Sequence, residues 1–147
     1  MREALRRLET QGLATRAPNH GSIVATINET QIVELYLLYE ALEGIAARLA
    51  ATHTTTAEVD RLCEMIEQDK LLIGRPLELA QANRRFHARL WNAARNRYPS
   101  HTLEILRLSV ALLRCTTVSA PNRAAEAVAE HLAIVVPLGA RRPNEAE

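Results

Sequence analysis

MREALRRLETQGLATRAPNHGSIVATI, residues 1–27, is the stretch that decides how the chain begins to fold. Its charged first part predicts a helix over residues 2–11. That helix ends at Gly12, where a left-handed C′ residue is needed. The residues that follow alternate in two short runs, as strands do, and the turn-forming Pro-Asn-His-Gly lies between them at 18–21. The stretch therefore predicts one helix followed by a two-stranded hairpin.

Positive charge is concentrated in this same stretch. The whole chain of 147 residues has a formal net charge of only +1, so no overall basic field attracts nucleic acid. Locally, however, Arg2, Arg6, Arg7 and Arg16 crowd the helix and the hairpin. Such an arginine-rich helix and hairpin are typical of the recognition-helix end and wing of a winged helix-turn-helix, where arginines contact DNA.

The rest of the chain, residues 28–147, is predicted to form an antiparallel all-α bundle. Asn28 and Gln31, and again Thr55 and Glu58, have the spacing of capping boxes, which open helices. Apolar residues recur behind each box at spacings of three and four. Five helices are predicted, within residues 28–51, 55–70, 76–94, 101–118 and 121–136, and Pro137 is expected to end the last of them. The predicted fold class is mainly α, a partial winged helix-turn-helix followed by a helical bundle.

The composition of the chain indicates a folded protein and the compartment in which it works. Apolar residues make up 48% of the chain, which is enough for a real core. No signal peptide and no apolar run of membrane-spanning length is present, which predicts a cytoplasmic protein without a membrane partner. Cys63 and Cys115 fall in apolar helical patterns and are predicted to be buried free thiols, as in a reducing compartment.

Two histidines lie on predicted inward faces of different helices. Asn83 and His87 are one helical turn apart, and His131 stands between Val128 and Val135 in the last helix. Inward histidines from two helices can share a metal ion at the centre of a bundle. The alternative that the pattern leaves open is a pair of core histidines, each satisfied by a backbone carbonyl.

Arginines are the other candidate ligand-binding groups. Arg107 and Arg114 lie one heptad apart and can meet a ligand carboxylate across a cavity, although a solvated helix face has the same spacing. No Gly-rich phosphate loop, Ser-His-Asp set, paired catalytic carboxylates or CxxC is visible. The chain is therefore predicted not to be an enzyme.

Five stretches, in order, resemble one family of bacterial proteins. REALRRLETQGL with APNHGSIVA is similar to the end of the winged helix-turn-helix of GntR-family transcriptional regulators. ELYLLYEALEGIAARLAA, NRRFHARLWNAARN and AEHLAIV resemble the signature stretches of the FCD-type helical domain in the FadR subfamily. The resemblance implies a homodimeric regulator whose winged helix binds operator DNA. It also implies a helical domain that binds a small effector, often an organic acid, and in many members a divalent metal ion.

The resemblance assigns expected roles in the N-terminal segment. Arg2 matches a recognition-helix arginine that contacts a DNA base or phosphate, and Arg6 is grouped with it as a DNA-binding candidate. His20 and Gly21 match the tip of the wing, which reaches the minor groove in the family.

The helical domain matches the family's metal site only in part. His87 and His131 match two metal-ligand histidines, so a zinc- or nickel-type ion is expected. Asn83 stands where the family usually has an aspartate ligand, and a carboxamide brings no charge, so weakened affinity is expected. Tyr39 stands where the family usually has an arginine in the first bundle helix, so the arginine's contact with a ligand or a carboxylate is not expected there.

Both ends of the chain also depart from the family pattern. The family has two helices and the start of the recognition helix before the position of Met1, and a further ligand histidine after Glu147. A misassigned start codon or a truncated gene would explain the shortfall. The predicted function is thus a GntR/FadR-type regulator, and the alternative is a truncated ligand- or metal-binding helical module without DNA-binding activity.

Overall fold

A computed structural model describes residues 2–10, 12–18, 20–117 and 123–146, without the side chains of 111–117. Its elements in chain order are α1 (Arg2–Thr10), β1 (Ala14–Ala17), β2 (Gly21–Val24), α2 (Glu29–His53), α3 (Thr56–Lys70), α4 (Pro76–Ala93), α5 (Arg97–Thr117), α6 (Arg123–Gly139) and α7 (Pro143–Ala146). A two-stranded antiparallel sheet thus precedes a helical bundle, which confirms the mainly-α fold class.

The first helix ends as its sequence predicts. Gly12 has a φ of +70°, the left-handed conformation expected of a C′ residue. The two backbone hydrogen bonds of a Schellman motif close the turn, Gly12 N–H to Glu9 C=O at 3.0 Å and Leu13 N–H to Leu8 C=O at 2.9 Å. The chain therefore leaves α1 in a fixed direction, toward β1.

The hairpin is attached to α1 through one carboxylate. Ser22 Oγ of β2 donates to Glu9 Oε1 at 2.7 Å, and Arg16 Nε of β1 lies 3.7 Å from the same oxygen. Gly21 pairs with Ala17 at the turn and has a φ of +75°. Apart from its chain neighbours, no described residue has an atom within 4 Å of a Cβ built there, so the backbone angle rather than crowding requires glycine. Helix and hairpin form one unit.

Helix α2 is the element on which the bundle packs. Both predicted capping boxes are present, at Asn28 for α2 and at Thr55 for α3. Helices α4, α5, α6 and α7 pack on α2, and α3 packs on α4 and α6. The buried residues of α2 are all alanines, at 46, 47, 50 and 51. These small side chains let the neighbouring helices approach closely.

The apolar residues of α2 that recur at spacings of three and four predict a seam for helix packing, formed by Leu35, Leu38, Leu42, Ile45 and Leu49. This prediction is partly wrong. Leu38 is 49% exposed and Ile45 is 36% exposed, whereas Ala46 is fully buried. The prediction placed the largest apolar side chains of α2 in the interface. In the structure the partner helices pack instead against its smallest apolar side chains, the alanines. Cys63, predicted to be buried, is exposed on α3, and the side chain of Cys115 lies outside the described residues.

Two prolines sit inside helices rather than between them. Helix α5 begins at Arg97 and includes Pro99 in its first turn, where a missing N–H costs no helical hydrogen bond. Helix α6 continues through Pro137 to Gly139. The carbonyl that loses its partner belongs to Ala133, an exposed residue whose carbonyl can bond water. The expected helix start at Pro121 lies outside the described residues.

Within the described ranges, no helix combines the length and the apolar character needed to cross a bilayer.

Candidate functional site

The two predicted histidines meet inside the bundle. His87 of α4 and His131 of α6 have ring centroids 5.2 Å apart, with an interplanar angle of 78°. The His131 ring also stacks on Phe86 at 3.9 Å, and only 4% of the His131 residue is exposed. The fold therefore brings together two imidazoles that the sequence separates by more than forty residues.

A carboxylate that sequence reasoning missed reaches this pair. Glu43 Oε1 of α2 lies 2.8 Å from His87 Nδ1, and the two side chains are 27% and 15% exposed. Neither atom has an aligned hydrogen-bond partner among the described residues, so the contact is close without being a well-formed hydrogen bond. No local signal marked Glu43 in the sequence; in the structure it precedes the buried Ala46 and Ala47 by three and four residues and so shares their face of α2.

Other polar groups line the same centre. Asn83 is half-buried one turn before His87, and the Trp91 ring lies 5.9 Å from the His87 ring on the other side. The buried Trp91 Nε1 has no hydrogen-bond partner in the described part of the chain. Buried polar atoms normally find a partner. Glu43 and His87 contact each other, which leaves Trp91 Nε1 as a donor at this centre that an ordered water or a small polar group can accept from.

The metal prediction is not decided by this geometry. Across the residues that the structure describes, no three His, Cys, Asp or Glu side chains gather tightly enough to hold a metal ion. The predicted set of Asn83, His87 and His131 includes only two residues of those types. Zinc- or nickel-type binding therefore stays a prediction.

A groove between α4 and α5 contains the predicted effector arginine. It has a volume of about 400 Å³ and is lined by Gln81, Arg84, Arg85, Ala88, Glu104 and Arg107. The α4 residues recur at spacings of three and four, on a face of the helix other than the one that carries His87. The groove thus gathers three guanidinium groups against one carboxylate.

Arg107 is held in place by that carboxylate. Its Nε donates to Glu104 Oε2 at 3.0 Å and its Nη2 donates to Glu104 Oε1 at 2.6 Å. This hydrogen-bonded pair raises the pKa of Arg107 and lowers the pKa of Glu104. Arg84 makes no ion pair with any described residue. The side chain of Arg114, the other predicted effector residue, lies outside the described residues.

The predicted DNA-binding residues lie on the solvent side of the helix–hairpin unit. Arg2, Arg6 and His20 are exposed, and Gly21 begins β2 at the hairpin turn. Arg2 and Arg6 are one turn apart on α1 and form no ion pair within the described ranges. Their guanidinium groups are accessible, and their contact with DNA stays a prediction.

Family and sequence comparisons agree with one another. The FCD domain model matches residues 34–147. The Nta operon transcriptional regulator of Aminobacter aminovorans is 34% identical over 100 residues, which cover 65% of this chain and 46% of that protein. YdhC of Bacillus subtilis (strain 168), an uncharacterised HTH-type transcriptional regulator, is 25% identical over 134 residues, which cover 89% of this chain and 60% of that protein. The chain spans roughly half the length of these relatives.

Solved structures share the fold over almost the entire chain. McbR/YncC of E. coli superposes with a TM-score of 0.83 at 21% identity, covering 99% of this chain and 75% of that one. The GntR protein of Streptococcus agalactiae superposes with a TM-score of 0.61 at 18% identity, covering 99% and 73%. The curated relatives are named as transcriptional regulators, in agreement with the prediction that the chain is not an enzyme. Since the FCD domain model matches most of the chain, the chain belongs to the FCD domain family.

Proposed function

We propose that this chain acts in a homodimeric transcription regulator whose affinity for operator DNA is controlled by a small organic acid in the helical domain. The observation that carries the proposal is the groove between α4 and α5. Arginines from two helices of the FCD domain line this groove. The helix and hairpin that precede the domain in the sequence carry further arginines.

The groove suits a carboxylate ligand. A guanidinium has five N–H donors, and Arg107 uses two of them on Glu104. The remaining donors of Arg107, with those of Arg84 and Arg85, offer bidentate positions to carboxylate oxygens. A volume of about 400 Å³ accommodates a small dicarboxylate or tricarboxylate rather than a large cofactor.

The effector would act by favouring one packing of the helices. A ligand that bridges α4 and α5 stabilises one relative position of these helices and shifts the population toward it. In a dimer, such a shift changes the spacing of the two DNA-binding heads and therefore operator affinity. A divalent ion at the bundle centre, held by His87, His131 and an oxygen ligand, would act on the same helices. When bound, the ion would serve a structural role, since its ligands come from different helices and it would hold those helices together.

DNA binding is tested by fluorescence anisotropy on a fragment from upstream of the gene. We expect binding that weakens steeply with salt, because each phosphate contact releases counterions. A form extended by the upstream in-frame sequence should bind more tightly than this chain, since the curated relatives are longer. Arg2→Ala and Arg6→Ala should weaken binding, whereas Arg61→Ala, an exposed change on α3, should not. Salt-independent or absent binding by the extended form contradicts the operator role.

Effector binding is tested by calorimetry with succinate, citrate and acetate. Arg107→Ala removes charge-assisted hydrogen bonds worth about 1.5–3 kcal/mol. We therefore expect roughly 10- to 100-fold weaker binding of the preferred acid. The matched control is Arg89→Ala, an exposed α4 arginine outside the groove, which should bind as the parent chain does. Equal loss in both variants would indicate general charge attraction and contradict a built site.

One observation favours the alternative, a helical binding module without DNA-binding activity. No residue of α1 is buried, and Leu5 and Leu8 are 36% and 39% exposed. A short helix with so little apolar burial is only marginally stable in water. Carboxylate binding without DNA binding in either form of the protein would support this alternative.

A further inference from the structure

We infer that Glu104 makes the groove between α4 and α5 selective for a dicarboxylate over a tricarboxylate. The inference rests on the proposed binding of an organic acid in this groove, and it narrows the class of that acid. Glu104 determines the specificity because its own carboxylate already occupies one of the arginines that line the groove.

The pairing of Glu104 with Arg107 is the first argument. The two residues are three apart on α5, so their side chains lie on one side of the helix. Arg107 Nε donates to Glu104 Oε2 at 3.0 Å and Arg107 Nη2 donates to Glu104 Oε1 at 2.6 Å, which makes the pair bidentate. Three of the five guanidinium donors are not used by Glu104. A ligand carboxylate on those donors meets a guanidinium whose charge is already neutralised.

The charge of the α4 arginines is the second argument. Arg84 and Arg85 line the groove together with Arg107 and Glu104, and within the described ranges neither makes an ion pair. Two ligand carboxylates therefore each find an arginine that no carboxylate binds. A third ligand carboxylate finds Arg107 and, beside it, the opposing charge of Glu104.

Asp69 of α3 is another carboxylate that acts electrostatically on Arg85. It is 3% exposed and does not line the groove, whereas the Glu104 side chain is 56% exposed at the groove itself. The effect of Asp69 is the same in every variant at position 104. A comparison of such variants therefore isolates the charge of Glu104.

Repulsion by Glu104 sets the size of the selection. Two unit charges about 4–7 Å apart in water repel each other by enough to change an affinity roughly 3- to 5-fold. This repulsion opposes the third carboxylate of a tricarboxylate, since the first two are held by Arg84 and Arg85. Because Glu104 is exposed, salt screens the repulsion.

The test uses the complete chain and three acids that share one carbon skeleton. Butyrate, glutarate and tricarballylate carry one, two and three carboxylates on a propane chain, so calorimetry at about pH 8 and low salt measures the gain from each added charge. We expect the parent chain to bind glutarate more tightly than butyrate, and to bind tricarballylate no more tightly than glutarate.

Glu104→Gln keeps the shape of the side chain and removes its charge. This variant should bind tricarballylate roughly 3- to 5-fold more tightly than glutarate, and high salt should reduce the difference. Glu104→Asp retains the charge and should keep the preference of the parent chain. Glu64→Gln, an exposed change on α3, removes the same charge outside the groove and should also keep that preference. Melting temperatures check that each variant is folded.

Three results would overturn the inference in different ways. Equal affinity of Glu104→Gln for glutarate and tricarballylate would show that the charge of Glu104 does not select the ligand. Uniformly weaker binding of all three acids by Glu104→Gln would show that Glu104 only positions Arg107. No binding of any of these acids by the parent chain would remove the groove as an effector site as well, whereas operator binding, measured separately, would still decide the regulator role.

Discussion

At the scale of single residues, Asp69 is a buried carboxylate in an unfavourable place. It lies in the last turn of α3, is 3% exposed, and its Oδ2 has no hydrogen-bond partner among the described residues. Burial raises the pKa of Asp69 above its ordinary value of 3.8, and the nearby positive charge of Arg85 offsets only part of this. The ionised side chain therefore destabilises the folded state.

Replacing Asp69 by Asn should stabilise the protein at neutral pH. Because the folded-state pKa is raised, the folded chain holds its proton more tightly, and stability declines as pH rises from about 3.8 through the raised value. We expect Asp69→Asn to gain on the order of 1 kcal/mol at pH 7, a typical cost of an unsatisfied buried polar group. The gain should vanish near pH 3.

Urea unfolding at several pH values measures this effect. Asp60→Asn, an exposed change on the same helix, serves as the control and should change little. A loss of stability at pH 7 in Asp69→Asn would show that the ionised carboxylate has a stabilising partner after all.

Glu43 shows what residue-level reading of the sequence misses. The sequence predicted that His87 and His131 share the interior, because each lies on an apolar helical face, and the structure confirms their proximity. Glu43 was missed since it lies beside alanines, and alanine marks a buried face less clearly than leucine does. Which face of α2 is buried depends on partner helices that no local pattern contains.

At the scale of elements, helix ends were predictable because their signals are local. Gly12 and both capping boxes form as expected, each from residues within one turn. Prolines predicted the helix bounds less well. Pro99 lies inside the first turn of α5 and Pro137 lies inside the last turn of α6. A proline breaks a helix in its interior, where it removes a backbone hydrogen bond and its ring clashes with the preceding turn.

The C-terminal end of α6 is followed by a strained backbone position at Arg141. Arg141 N–H donates to Leu138 C=O at 3.1 Å and Arg142 N–H to Pro137 C=O at 2.9 Å, the two bonds of a Schellman motif. The C′ residue of this motif is Arg141, with a φ of 53°, where glycine is preferred. Gly139 lies two residues earlier, and a Cβ there would be 3.4 Å from Val59 Cγ1, so that glycine serves the contact between α6 and α3.

Arg141→Gly should therefore stabilise the chain. A non-glycine residue in the left-handed region costs about 1–2 kcal/mol. Among the residues that the structure describes, the Arg141 side chain makes one hydrogen bond, a long one of 3.5 Å, to the Thr52 carbonyl. We expect a melting temperature higher by a few degrees. Arg142→Gly removes the same charge from the neighbouring position without relieving a positive φ, and it should give no increase. Equal melting temperatures for the parent chain and Arg141→Gly would show that the strain is negligible.

At the scale of the whole molecule, α4 connects the two candidate sites. Its inner face carries His87 toward α2 and α6, and another face carries Arg84 and Arg85 toward the groove with α5. A helix transmits a displacement along and across its axis because its backbone hydrogen bonds keep it rigid. A ligand in the groove and a cation at the centre, as proposed, would therefore both act on the position of α4.

Binding at the two sites should be coupled, and the coupling should be reciprocal. A central cation attracts an anion in the groove, so we expect the metal-loaded chain to bind succinate several-fold more tightly than the stripped chain. Linkage then requires succinate to tighten Co²⁺ binding by the same factor. Calorimetry measures both affinities, and the fluorescence of Trp91, the chain's one tryptophan, reports the centre independently. His87→Ala, which removes a predicted metal ligand, should abolish the enhancement while leaving the affinity of the stripped chain for succinate unchanged. A factor of one in both directions would show that the groove and the centre are independent, in which case the effector acts through α5 alone.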